Sequence, residues 1–125
     1  MATILVVEDN HPVAQMIQDV LEDYGYTVIV AEDGVNALEM LFHLRPDVVL
    51  SDEMMPNLEG HQLCQIKAAD LRYRTVPIVL MSARSLATIP VPDTCTMFIR
   101  KPFTNAELIN TITDVLGESA EQSTP

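Results

Sequence analysis

Five short apolar runs punctuate the chain: Ile4–Val7, Val28–Ala31, Val48–Leu50, Ile78–Met81 and Met97–Ile99. They are rich in β-branched residues and do not alternate with polar positions. Strands covered on both faces have this pattern, so it predicts a parallel sheet sandwiched between helices. Between the runs the apolar period becomes helical. Val13, Met16, Ile17, Val20, Leu21 and Tyr24 form one stripe, with Pro12 suited to a first turn and Gly25 to a stop. Leu38, Leu41 and Leu44 mark a second helix that ends before Pro46, and Leu63 and Ile66 mark a third. The last helix carries Leu108, Ile109, Ile112, Val115 and Leu116, with Thr104 and Glu107 at capping-box spacing and Gly117 at its end. The result is a doubly wound α/β order. The stretch from Ser82 to Lys101 breaks the pattern. Only Ser85–Ile89 can be helical before Pro90-Val91-Pro92, so the fourth helix is expected to be short or irregular.

The chain's 125 residues, 48% of them hydrophobic, suit one domain with one core. That domain is expected over residues 1–117, with a flexible C-terminal tail at 118–125 and no output domain in the chain. No apolar run reaches membrane-spanning length, and MATILVVEDN lacks the basic start of a secretory signal. A cytoplasmic protein without membrane insertion is therefore expected. The net charge of -11, from 18 acids against 7 bases, repels phosphate backbones and argues against direct nucleic acid binding. Cys64 and Cys95 have no metal-binding spacing and read as ordinary buried or half-buried thiols. His11, His43 and His61 read as surface residues.

The chemistry lies at the strand ends. In an open parallel sheet, ligands bind outside the carboxyl ends of the strands, near the switch in strand order. The residues just past the apolar runs are Glu8 and Asp9, then Asp52, Ser82 and Lys101. Carboxylates crowded together repel one another, and a hard divalent cation such as Mg²⁺ relieves this through oxygen ligands. With the charge relieved, Asp52 can act as a nucleophile towards phosphorus and form an acyl phosphate. Lys101 and Ser82 are then suited to hold phosphoryl oxygens. Each of these residues alone would read as a turn, cap or surface residue; only their common register supports the chemistry.

Four segments carry a family resemblance: ILVVEDN, DVVLSDEMMPNLEG, PIVLMSA and FIRKPF. In this order and at strand ends, they make the chain from about Thr3 to Gly117 resemble a stand-alone receiver domain of two-component response regulators. The resemblance implies a flavodoxin-like five-stranded parallel sheet of order 2-1-3-4-5. It implies Asp52 as phospho-acceptor and Mg²⁺ held by Glu8, Asp9, Asp52 and the backbone carbonyl of Met54. It further implies Ser82 as switch hydroxyl, Lys101 as phosphoryl-binding ammonium beside a cis Lys101-Pro102 bond, and Phe98 as switch aromatic. The phosphoryl group would come from the phosphohistidine of a histidine kinase or phosphotransfer protein. The signal would leave through protein contacts to a downstream target, on the face of the fourth helix, fifth strand and fifth helix. Such a domain is a phospho-acceptor that assists its own phosphorylation and dephosphorylation, not an enzyme acting on an external substrate.

The chain departs from the family in its short Ser82–Lys101 stretch, in Phe98 having no hydroxyl, and in Met54 and Arg84, where the family tunes dephosphorylation. The short stretch motivates the main alternative, a receiver-like module that binds partners without phosphorylation. A phosphatase with an aspartyl nucleophile would need a second Asp where Met54 stands. A flavodoxin-type cofactor carrier would need a hydroxyl- and glycine-rich loop where Glu8-Asp9-Asn10 stands.

Overall fold

All five apolar runs become strands, and all pair in parallel. The structure, a computed structural model, describes residues 2–55, 57–83 and 97–117. In chain order the elements are β1 (Thr3–Val7), α1 (His11–Tyr24), β2 (Thr27–Ala31), α2 (Gly34–Leu44), β3 (Val48–Asp52), α3 (Gly60–Ala69), β4 (Ile78–Ser82), β5 (Met97–Arg100) and α4 (Asn105–Val115). The sheet has the order β2-β1-β3-β4-β5. The chain order reverses between β1 and β3, so the switch point lies where β1 and β3 end. The predicted fourth helical segment, Arg84, Pro90-Val91-Pro92, Cys95 and the tail at 118–125 lie outside the described residues.

Helices cover both faces of the sheet, which divides the core in two. On one side Ile4, Val6, Leu50, Val79 and Met81 pack with Ile17 and Leu21 of α1 and Leu108 and Ile112 of α4. On the other, Leu5, Val7, Val49, Ile78 and Leu80 pack with Ala37 and Leu41 of α2 and Leu63 and Cys64 of α3. Successive strand residues point to opposite faces, and in β1, β3 and β4 both faces are dry, so these central strands are apolar along nearly their whole length.

The caps follow the local sequence. Asn10 accepts from the Val13 N–H at 3.1 Å and starts α1, while Gly25, at φ +113°, ends it. Thr104 and Glu107 form the expected capping box of α4. Strands β3 and β4 run further than their apolar runs and take in Asp52 and Ser82 as terminal residues. Several helical stripe positions are more exposed than expected. Met16, Leu44 and Ile66 are exposed, and α3 instead buries Leu63, Cys64 and the stem of Lys67. Tyr24 does not complete the buried face of α1. It is exposed and lies against the buried Tyr26 ring, at a centroid distance of 5.5 Å. Among the described residues, no helix is long and apolar enough to cross a membrane.

Candidate functional site

The carboxyl edge of the sheet gathers residues from the ends of four strands, β1, β3, β4 and β5. Beyond β1, the Glu8 N–H donates to the Ala31 carbonyl at 3.1 Å, which extends the ladder by one residue and holds Glu8 in place. The Glu8 side chain is buried, and its Oε2 accepts from the Asn10 N–H at 3.3 Å, just ahead of α1. Asp52 is the last residue of β3 and pairs with Met81 in the ladder. Lys101 is fixed by its own backbone: its N–H donates to the Ser82 carbonyl at 2.9 Å, and a cis bond joins it to Pro102.

From there the Lys101 ammonium donates to Glu8 Oε1 at 3.0 Å and to Asp52 Oδ2 at 3.2 Å. Burial alone would lower the pKa of this ammonium. Its hydrogen bond to Glu8 and the charges of Asp52 and Glu8 outweigh burial and hold it above the usual lysine value. Glu8, Asp9 and Asp52 each bring a carboxylate oxygen to within 4.8 Å of the others, with Asp9 on the exposed side. One ammonium cannot neutralise three carboxylates, and every donor in the cluster is a hard oxygen. This donor set fits Mg²⁺, whose coordination shell would be completed by water.

The loop after β3 closes the edge. A Cβ on Gly60 would lie 2.8 Å from the Asp52 carbonyl oxygen and 3.1 Å from the Glu53 Cα, so only glycine lets α3 begin this close to Asp52. Met54 is exposed on this loop. Ser82 is buried at the end of β4, in register with Arg100. Phe98 is half-buried and packs on the core layer beneath α2 and α3. Thus Glu8, Asp9, Asp52 and Lys101 converge, Ser82 lies one strand over and anchors the Lys101 backbone, Met54 stands on the adjoining loop, and Phe98 lies further back in β5, paired with Leu80.

The structure also reveals a group that the sequence did not flag. Glu53, next to Asp52, is 0% exposed, and its Oε1 lies 2.6 Å from His61 Nδ1. His61 is therefore not the surface residue expected: its side chain is 17% exposed and sits over this carboxylate. An acid just past a strand reads as solvated, and nothing local marks this one as buried.

A doubly wound sheet with an acidic cluster and a lysine at its switch point defines an α/β domain with a polar, cation-accepting site outside the carboxyl ends of its strands. The profile of the response regulator receiver domain family matches residues 4–113, and the chain belongs to that family. It is 31% identical over 125 residues to response regulator Rre1 of Synechocystis sp., covering 97% of this chain and 54% of Rre1. The chain spans about half or less of the length of the relatives first matched, from 7% to 54%. Among solved structures, the signal receiver domain of a signal transduction histidine kinase from Syntrophus aciditrophicus superposes with a TM-score of 0.87 at 26% identity, covering 100% of this chain and 97% of the other. The receiver domain of sensor histidine kinase PA1611 from Pseudomonas aeruginosa, solved with a magnesium ion in its active site cleft, gives a TM-score of 0.85 at 29% identity, covering 94% and 98%. The family function is a phosphoaspartate-based signalling switch that acts through protein contacts.

Proposed function

We propose that Asp52 is the phospho-acceptor, taking its phosphoryl group from the phosphohistidine of a histidine kinase or phosphotransfer protein. The observation that carries this reading is the Lys101 ammonium, which bonds Glu8 and Asp52 at once and so ties the lysine to both halves of the cluster. An Asp52 oxygen attacks phosphorus, an O–P bond forms, and the N–P bond to the donor imidazole breaks with its electron pair returning to the ring. Glu8, Asp9, Asp52 and the Met54 carbonyl would hold Mg²⁺. When bound, the ion supplies the positive charge that lets phosphoryl oxygens approach the carboxylates. Lys101 orients Asp52 and then binds a phosphoryl oxygen. The Ser82 hydroxyl, at the end of the adjacent strand, serves as the switch donor to another oxygen. Phe98 responds by repacking, since with no hydroxyl its positions differ only in contacts. The receiver unit spans residues 1–117, and its output is a protein partner.

The test is phosphoryl incorporation from acetyl phosphate, read by intact mass. One group should add to the native chain in Mg²⁺, and none to Asp52→Asn or to native chain in chelator. If the native chain fails here and also with a phosphorylated kinase, the reading falls and a phosphorylation-independent binding module takes its place.

A further inference from the structure

On the helix side of the β3–α3 junction sits a second cluster that the phosphoryl site does not use. Glu53 follows Asp52 just past the end of β3, and its side chain meets His61 of α3 rather than Lys101. Its carboxylate is wholly buried, and its Oε2 has no hydrogen-bond partner among the described residues. A buried carboxylate needs a partner for each oxygen or a cation nearby. His61, in the first turn of α3, points Nδ1 at Glu53 Oε1 at 2.6 Å and at Glu59 Oε2 at 3.4 Å. One ring nitrogen carries at most one proton and cannot satisfy both carboxylates. The three side chains each bring a ligand atom within 4.8 Å of the others.

We propose that Glu53, Glu59 and His61 form a binding site for a divalent transition metal of the Zn²⁺ class. Two carboxylates and one imidazole suit a borderline cation, whereas Mg²⁺ prefers oxygen alone. Zinc bonds of roughly 2.0–2.2 Å place tetrahedral ligands about 3.3–3.6 Å apart. The 3.4 Å His61–Glu59 separation already matches. The Glu53 contact at 2.6 Å must open by about 0.7–1.0 Å as Nδ1 gives up its proton and offers its lone pair to the metal. The Glu53 carboxylate, with one oxygen unbonded, has a donor to offer, and Glu59 lies on the exposed side of the cluster. A bound ion would clasp the residue after Asp52 to the first turn of α3. The proposal is independent of whether Asp52 takes a phosphoryl group.

Isothermal titration with ZnCl₂, in excess Mg²⁺ to engage the Glu8–Asp9–Asp52 cluster, tests it. The native chain should bind one Zn²⁺, and Asp9→Asn should keep that isotherm. His61→Gln and Glu59→Gln should each weaken it on the order of tenfold or more. Co²⁺ in place of Zn²⁺ should give a visible absorption band that the same two variants remove. Glu59 is partly solvated, so Glu59→Gln leaves no unpaired group in the core and decides the matter if His61→Gln fails to fold. Absence of zinc binding to the native chain overturns the proposal. So does a site lost in Asp9→Asn yet kept in Glu59→Gln.

Discussion

At the scale of single residues, Lys101 does the most. Its stem comes off β5, its backbone N–H is held by the Ser82 carbonyl, and its ammonium meets two carboxylates. Removing it would leave Glu8 and Asp52 facing each other without a cation, so Lys101→Met should destabilise the metal-free domain. The ammonium's folded-state pKa lies above its ordinary value of 10.5. A raised lysine pKa gives stability that is complete below the unfolded value and is lost as pH rises through the folded one. The stability gap between the native chain and Lys101→Met, measured by urea unfolding without metal, should therefore be flat through neutral pH. It should narrow only above about pH 10.5. A gap that closes near pH 7 would mean that the ammonium is not the source of the stability.

At the scale of elements, legibility followed the physics. The central strands β1, β3 and β4 were readable because both of their faces are dry, which demands apolar runs, and the edge strands β2 and β5 kept apolar runs although they are only partly covered. The edge residues were readable because a parallel sheet puts all its carboxyl ends on one side. Helix faces were less legible: an amphipathic period shows which stripe turns inward, but not how wide the neighbouring layer is. Leu44 and Tyr24 are the last residues of their helices, and both are exposed. The burial of Glu53 and His61 depends on how closely α3 approaches β3, a tertiary fact with no periodic signature. Close approach is testable at the glycines. A Cβ on Gly34, the first residue of α2, would lie 2.5 Å from both the Cβ and the carbonyl oxygen of Leu58. Alanine should gain up to about 1 kcal/mol in helix propensity. Forcing backbone aside costs about 1–3 kcal/mol and should win. Gly34→Ala should therefore lower the urea midpoint with an unchanged slope, and Gly60→Ala should do the same beside Asp52.

At the scale of the whole molecule, charge and fold work against each other. The chain carries -11, and the sheet's switch point concentrates three carboxylates at one edge, with Lys101 the one cation bonded to them among the described residues. The fold thus holds unrelieved repulsion at its working edge, and a cation that binds there is linked to stability. A ligand present at about 100 times its dissociation constant stabilises by about 2.7 kcal/mol, enough to raise the melting temperature by several degrees. Asp9 separates the two effects because it is exposed and is not bonded to Lys101. Asp9→Asn removes one of three like charges, so the variant should melt above the native chain in chelator. It also removes a ligand, so it should gain little from Mg²⁺, and the order of the two proteins should invert when Mg²⁺ is added. Salt should shrink the difference in chelator, because Asp9 faces solvent and its repulsion is screened. Equal Mg²⁺ responses in thermal melts of the two proteins would place the ion elsewhere and remove the acidic cluster from the chemistry of Asp52.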